Sequence, residues 1–197
     1  ENAWTGTVIS ALPAFEKIGK RIYGDKLPPL RFFLFREHDG YEQFYQAAFG
    51  MPIPGPTHDG TGNRGIAVYR QTSQRHAGEP ETIGNVLHEF GHAWANSYVA
   101  ERHGKDYLSP ALRRPYLDEG LADYVASLHE PEYLTRRRQW IESLKLKSTP
   151  PKLSSLRAFD SFYKGDVELN YWVSALLVAR MLGRSPEKLV PLLDALA

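Results

Sequence analysis

One helix constrains this chain more than any other segment of its sequence. From Glu81 to about Arg102 the apolar residues recur at the spacing of a single helix face, and Gly104 follows as a stop signal. Two histidines, His88 and His92, stand four residues apart in the middle of this helix. Any fold of the chain must bury the apolar face, which is formed by Ile83, Val86, Leu87, Phe90, Trp94 and Val99.

The segment from His88 to His92 has the pattern HExxH. Histidines four apart on a helix differ by about 40° around the axis and about 6 Å along it, so both imidazoles can reach one metal ion. Glu89 projects beside them, where a water on that metal would lie, and is the natural general base. Gly91 costs the helix about 1 kcal/mol relative to Ala, which is reasonable if another element packs closely there. The pattern predicts a metal site; the alternative is a helix whose histidines are only hydrogen-bonded or solvated.

Two histidines do not complete a catalytic zinc site, which has three protein ligands and one open position. The chain has no cysteine, so the third ligand must be His, Asp or Glu. His103 is one candidate, but it lies about 16 Å from His92 by helix rise. Glu119 is the better candidate, because it sits on a second amphipathic helix, Leu117 to Leu128, with Asp123 four residues on along the same face. We expect Glu119 to ligate the metal and Asp123 to accept the remaining ring N–H of a ligating histidine, which fixes its tautomer.

The HExxH motif at His88 and the Glu-Gly-Leu-Ala-Asp motif that begins at Glu119 together resemble the gluzincin metallopeptidases, of which thermolysin and the aminopeptidases are familiar branches. The block from Tyr116 to Tyr124 is closest to bacterial domains of the peptidase-MA-like group. The resemblance covers Ile66 to Leu128 well and the helical tail only loosely. It implies a zincin-like fold in which the strand Ile66 to Arg70 runs along the active-site cleft as an edge strand, able to bind an extended substrate by backbone pairing.

The resemblance also implies the chemistry, which is zinc-dependent hydrolysis of peptide bonds by an endopeptidase. The cofactor would be Zn²⁺, held by His88, His92 and Glu119. Zinc lowers the pKa of its bound water toward about 7. Glu89 then takes the proton as the hydroxide attacks a carbonyl, and delivers it to the leaving amine. The partner expected on these grounds is a peptide or protein substrate.

Further site residues are less constrained by the sequence. The oxyanion needs a second donor besides zinc; Tyr171 resembles the family's downstream tyrosine, Tyr163 is the alternative, and either ring can instead fill the core. Arg136 to Arg138 could hold an acidic substrate or simply be solvated. His58 and Asp59, in the Gly- and Pro-rich loop, could line the cleft.

The sequence departs from the better-known branches in three respects. No GAMEN-like exopeptidase motif precedes the helix, so an aminopeptidase has no support. Nothing after His129 is a histidine, which leaves the downstream catalytic His of the thermolysin type unidentified. The third ligand position of the metzincin pattern, six residues after His92, is Tyr98.

The remaining pattern predicts an α+β domain with strands early and helices late. We expect one zincin-like catalytic domain over 1–197, with a small mixed sheet and the HExxH helix in an N-terminal lobe, 1–104, and an all-helical lobe, 105–197, that carries the third ligand. The other predicted elements are helix Thr5 to Tyr23, strand Leu30 to Arg36, helix Tyr41 to Phe49, loop Gly50 to Gly65, helix Pro131 to Leu146, helix Val167 to Leu182 and a last helix begun by Ser185-Pro186.

The balance of charged residues argues against a nucleic-acid partner. Lys plus Arg number 24 against 23 acids, so the strong basic excess of a nucleic-acid binder is missing. The most apolar run, Trp172 to Leu182, is about half the length that a bilayer span needs and contains Arg180, so no membrane insertion is expected. The chain begins at Glu1 without the pattern of a signal peptide, and the lack of a starting Met suggests that an upstream segment was removed. Localisation stays open, with an extracytoplasmic or secreted one favoured. Two alternatives also stay open, a zincin-fold binding module without turnover and a zinc amidase acting on a non-protein amide, as does the oligomeric state.

Overall fold

Most residues of the protein lie in helices. The structure, a computed structural model, describes residues 3–35, 37–50, 60–62, 65–69, 83–104, 114–143, 151–164, 166–183 and 185–196. In chain order its elements are α1 Ala3–Tyr23, β1 Arg31–Phe35, α2 His38–Phe49, β2 Gly60–Gly62, β3 Gly65–Tyr69, α3 Ile83–His103, α4 Pro115–His129, α5 Tyr133–Ser143, α6 Leu153–Arg157, α7 Phe159–Lys164, α8 Val167–Leu182 and α9 Leu189–Leu196. Single 3-10 turns, Gly24–Lys26 and Pro186–Lys188, follow α1 and precede α9.

Each predicted helix overlaps an observed one, and the ends that can be compared differ by a few residues. Residues 81–82 and 144–146, at the ends of two predicted helices, lie outside the described residues. The bounds of α8 are those predicted, and α3 ends before Gly104, whose φ is +61°. The short helices α6 and α7 were not predicted, because five and six residues are too few to show a helical period. The structure is mostly helical, and the zincin-like class and the division into lobes remain predictions.

The strands form a three-stranded sheet of order β1-β3-β2, in which β3 runs parallel to β1 and antiparallel to β2. The expectation that Ile66 to Arg70 forms an edge strand is wrong for the described strands, because Ala67 pairs with Phe33 on one side and with Gly60 on the other. The edge strand β2 lies inside the segment Gly50 to Gly65, predicted as a continuous loop. Its Gly-Thr-Gly sequence has no alternating pattern and is held by backbone pairing, so no periodic signal marks it.

One hydrophobic core contains residues of α1, α3, α4, α8 and α9. Helix α4 lies between α3 and α8 and contacts both. From Gly84 to Val99 every residue of α3 is buried except Glu89 and His92. The buried helix is therefore open to solvent at two of the predicted site residues. Within the described segments we find no helix both long and apolar enough to cross a membrane.

Two glycines allow α4 to lie close to both of its neighbours. A Cβ at Gly91 of α3 would lie 2.9 Å from the Cα of Ala122, which confirms the close packing expected there. A Cβ at Gly120 would lie 2.6 Å from the carbonyl oxygen of Ser174. Gly120 therefore faces the backbone of α8.

The variant Gly120→Ala should destabilise the protein even though Ala is the better helix former. The new methyl group would meet backbone atoms of α8, which cannot rotate away, and overpacking of this kind costs about 1–3 kcal/mol. Urea unfolding without metal measures the change in the free energy of unfolding. The matched control is Gly6→Ala in α1, where a Cβ meets nothing within 4 Å and the gain should approach about 1 kcal/mol. An unchanged or higher stability of Gly120→Ala would contradict the close approach of α4 and α8.

Candidate metal centre

Helices α3 and α4 bring the three predicted metal ligands together. One potential ligand atom from each of His88, His92 and Glu119 lies within 4.8 Å of the others. The two Nε2 atoms are 3.0 Å apart. The Oε2 atom of Glu119 lies 3.3 Å from Nε2 of His88 and 3.2 Å from Nε2 of His92. The spacing of four residues thus places both imidazoles on one side of α3, facing the carboxylate of α4.

The other nitrogen of each imidazole contacts its own buried carboxylate. Nδ1 of His88 lies 2.7 Å from Oδ1 of Asp123, and Nδ1 of His92 lies 2.8 Å from Oδ1 of Asp118. An ionised carboxylate can only accept a hydrogen bond, so each ring donates its proton from Nδ1. In the neutral rings this arrangement makes Nε2 the unprotonated nitrogen, which is the form that metal ligation requires. The predicted contact of Asp123 with a ligating histidine is therefore present, and it is His88 that Asp123 holds.

The acceptor atoms of His88, His92 and Glu119 face one another, and this geometry favours a positive charge between them. In these neutral tautomers both Nε2 atoms and Oε2 of Glu119 are acceptors, and they lie 3.0 to 3.3 Å from one another. Asp118, Glu119 and Asp123 are all buried, so three buried carboxyl groups surround the two rings. Buried charges persist when they are paired or when they coordinate a metal. A buried His-His-Glu group of this kind could hold a metal ion, and a cation at the meeting point of the three acceptors would balance the charge.

Proton binding shows the same demand for positive charge. Burial by itself would lower the pKa of His92, but the negative charges of Asp118 and Glu119 outweigh it and hold the pKa well above its ordinary value. Burial would raise the pKa of Glu119, yet His92 and His88 hold it well below the usual range. Without metal, a proton on His92 can thus sit among the acceptors. A metal ion would take the place of that proton, so its binding should release one.

Glu89 lies beside the candidate ligands without joining them. Its Oε1 is 3.9 Å from Nε2 of His88, and its side chain is 13% exposed where that of His88 is 1%. The side chain of His92 is 11% exposed. Glu89 and His92 are the positions at which the buried part of α3 meets solvent. The carboxylate of Glu89 therefore stands where solvent reaches the centre, as a general base must.

Helix α7 supplies a further contact to Glu119. The hydroxyl of Tyr163 donates a hydrogen bond of 2.6 Å to Oε1 of Glu119. Asn170 of α8 ties this helix in place, because its Nδ2 donates to the carbonyl oxygen of Phe162 at 2.8 Å. While Oε1 of Glu119 is bound by Tyr163, Oε2 is the oxygen that lies 3.3 Å from Nε2 of His88 and 3.2 Å from Nε2 of His92. The geometry favours a carboxylate that would bind a metal through one oxygen.

The predicted Tyr171 also lies at this centre. Its ring centroid is 6.4 Å from that of His88 and 6.5 Å from that of Tyr163. The rings of Tyr171 and His88 are inclined by only 31°. Both tyrosine candidates therefore flank the candidate ligands, and the hydroxyl of Tyr163 contacts an oxygen of Glu119.

The other candidates lie elsewhere or carry other contacts. His103 bonds through Nε2 to Asp194 at 2.8 Å, at the far end of α3. Arg136 contacts Glu130, and Arg138 pairs with Glu142 at 2.8 Å. His58 and Asp59 fall outside the described residues.

Sequence reasoning missed two groups at the centre, Asp118 and Tyr133. A second ligating histidine needs a second acceptor for its Nδ1 proton, and Asp118 is the only further acid between Pro115 and His129. That count could have found Asp118. The hydroxyl of Tyr133 lies 3.2 Å from Oδ1 of Asp123, but nothing in the spacing of Tyr133 along the chain indicates that it reaches this carboxylate.

Comparison with known proteins adds no relative. No protein-family model, curated protein or solved structure matches this chain. The candidate function therefore depends on the residues of the centre and their geometry.

Proposed function

We propose that the chain is a zinc-dependent metallopeptidase of the gluzincin type, with a zincin-like fold, that hydrolyses peptide bonds in peptide or protein substrates. The observation that carries this proposal is the convergence of His88, His92 and Glu119 at a place where α3 is otherwise buried. Glu89 stands at the same opening, 3.9 Å from a ligand nitrogen. Ligand group and base together have the composition of a hydrolytic zinc site.

Zinc is proposed as the ion because of the donor set. Two imidazole nitrogens and one carboxylate oxygen are a common catalytic set for Zn²⁺, and three protein ligands leave a position open for water. When bound, zinc would supply Lewis acidity to that water and to the carbonyl oxygen of the scissile bond. Asp118 and Asp123 orient the rings of His92 and His88, and Tyr163 orients Glu119.

Proton transfer is assigned to Glu89. Its carboxylate would accept a proton from the attacking water and pass it to the nitrogen of the leaving amine. The position of Glu89 suits this role because the carboxylate is next to the ligand group and reaches solvent. No second acid is needed, since one carboxylate can take the proton in the first step and return it in the second.

Stabilisation of the oxyanion is assigned to Tyr171, acting as a hydrogen-bond donor. The placement of its ring beside His88 supports this role. Tyr163 is the less suitable donor because its hydroxyl already donates to Glu119 at 2.6 Å.

Metal removal tests the proposal. The purified chain is incubated with a mixed peptide library, alone, after treatment with a chelator, and after Zn²⁺ is restored, and the products are identified by mass spectrometry. We expect cleavage that stops with the chelator and returns with zinc. Cleavage that persists in the chelated, metal-free protein would contradict the proposal.

The same assay separates the two alternatives. A chain that binds one equivalent of zinc but cleaves no peptide, and no other amide, would be a binding module. Release of amines from cell-wall fragments, with the peptide library left intact, would instead show an amidase. Both results overturn the peptidase proposal while leaving the metal site in place.

A further inference from the structure

A chain of hydrogen bonds runs from His88 into the interior of the protein, beyond the groups that a metal would touch. Oδ1 of Asp123 receives the Nδ1 proton of His88 at 2.7 Å and lies 3.2 Å from the hydroxyl of Tyr133. The same hydroxyl lies 2.8 Å from Oδ1 of Asn85, one turn before His88 on α3. All four side chains are buried. The single proton of the phenol thus lies between Asp123 on α4 and Asn85 on α3.

Tyr133 is held against α3 by its surroundings. A Cβ at Gly84 would lie 2.7 Å from Cδ2 of Tyr133, so only glycine allows the ring so close to the helix. Beside it, the N–H of Gly84 donates to Oε1 of Glu130 at 3.0 Å, and the other oxygen of Glu130 contacts Arg136. Glu130 therefore satisfies an N–H in the first turn of α3 and brings negative charge to its N-terminus. The corner between α4 and α5 is fastened to the beginning of the helix that carries both histidines.

We propose that Tyr133 is a positioning residue that acts through Asp123 and sets the affinity of the centre for its metal. The inference rests on the proposed metal site. The hydroxyl of Tyr133 holds the Asp123 carboxylate at the angle at which it accepts from His88, which keeps Nε2 of His88 directed at the ion. A phenol proton shared with Asn85 also restrains the carboxylate without neutralising it, so Asp123 keeps its charge toward the imidazole.

The variant Tyr133→Phe tests this role because it removes one oxygen and keeps the ring that packs on Gly84. Zinc affinity is measured by competition with a chromophoric chelator, and Co²⁺ absorption reports the ligand geometry. Losing a group that orients a metal-binding histidine weakens binding by about 10–100-fold, and we expect about tenfold with an altered Co²⁺ spectrum. The control is Tyr124→Phe. Tyr124 is a buried tyrosine on α4, and among the contacts described its hydroxyl reaches only the carbonyl oxygen of Gly183, at 3.3 Å. The zinc affinity of this variant should equal that of the wild type.

A double-mutant cycle distinguishes positioning through Asp123 from a general loss of packing. If Tyr133 acts through Asp123, then Tyr133→Phe should weaken zinc binding about tenfold in the wild type and leave it unchanged in an Asp123→Asn background. Equal weakening in both backgrounds, or none in the wild type, would overturn the inference while leaving the metal site intact. A wild-type chain that binds no zinc would instead refute the proposed function itself. Unfolding of the metal-free proteins, followed by circular dichroism, shows whether each variant keeps its fold.

Discussion

Replacing Glu89 with Gln should abolish peptide cleavage and leave the metal in place. The amide keeps the size of the side chain but cannot accept the proton of the attacking water, and general base catalysis contributes about 10²–10⁴-fold to a rate. Because Glu89 lies beside the ligand group and is not part of it, zinc content should remain near one per chain. The measurements are kcat/KM on the best library peptide and zinc by elemental analysis, made on the same preparation.

The control for this substitution is Glu142→Gln. Glu142 is a surface carboxylate on α5, 60% exposed and paired with Arg138, so the same change of charge there should leave activity and metal content unchanged. Retained hydrolysis in Glu89→Gln, with full zinc, would refute the role of Glu89 as base. Loss of activity together with loss of zinc would show instead that Glu89 is a ligand or supports one.

The ligand group could be predicted from the sequence because its geometry is local. His88 and His92 are fixed relative to each other by one helical turn, and Glu119 and Asp123 by another. The only tertiary contact required is the packing of α3 against α4. Gly91 indicated where that contact lies, because a glycine inside a helix is unfavourable unless another element packs against it. The relative positions of these residues follow from their spacing along the chain, which can be read from a single sequence.

The groups that the sequence did not reveal are those fixed by tertiary packing. Tyr133 reaches Asp123 because α5 turns back against the first turn of α3, and Tyr163 reaches Glu119 through a six-residue helix. Neither contact leaves a periodic pattern. The strand β2 was not predicted for a related reason. Two of its three residues are glycine, and it is held to β3 by backbone pairing, so its side chains show no pattern. Short elements that are held by contacts distant in sequence therefore cannot be predicted from residue periodicity.

Glu119→Ala should remove the metal from the centre. Apparent binding free energies of structural zinc sites are about 10–16 kcal/mol over four ligands, or about 2.5–4 kcal/mol for each ligand. Loss of the only carboxylate in the predicted group should therefore weaken zinc binding by about 10²–10³-fold. Elemental analysis of protein purified without chelators or added metal should find about one zinc in the wild type and little in the variant. Thermal unfolding gives a second measure, since zinc at about 100 times its Kd should stabilise the wild type by about 2.7 kcal/mol and the variant hardly at all.

Two further variants decide why the metal is lost. Glu119→Gln keeps an oxygen for Tyr163 to bond and removes the negative charge, so it should bind zinc more weakly than the wild type and more tightly than Glu119→Ala. Asp160→Asn is the control, a carboxylate 80% exposed on α7 and paired only with Lys164 among the contacts described, and it should bind zinc as the wild type does. If Glu119→Ala retained one zinc with unchanged affinity, the third ligand would lie elsewhere. Glu89 would then be the next candidate for the third ligand, because its carboxylate lies 3.9 Å from Nε2 of His88. A zinc titration of Glu89→Gln would show whether Glu89 is a ligand and not the base.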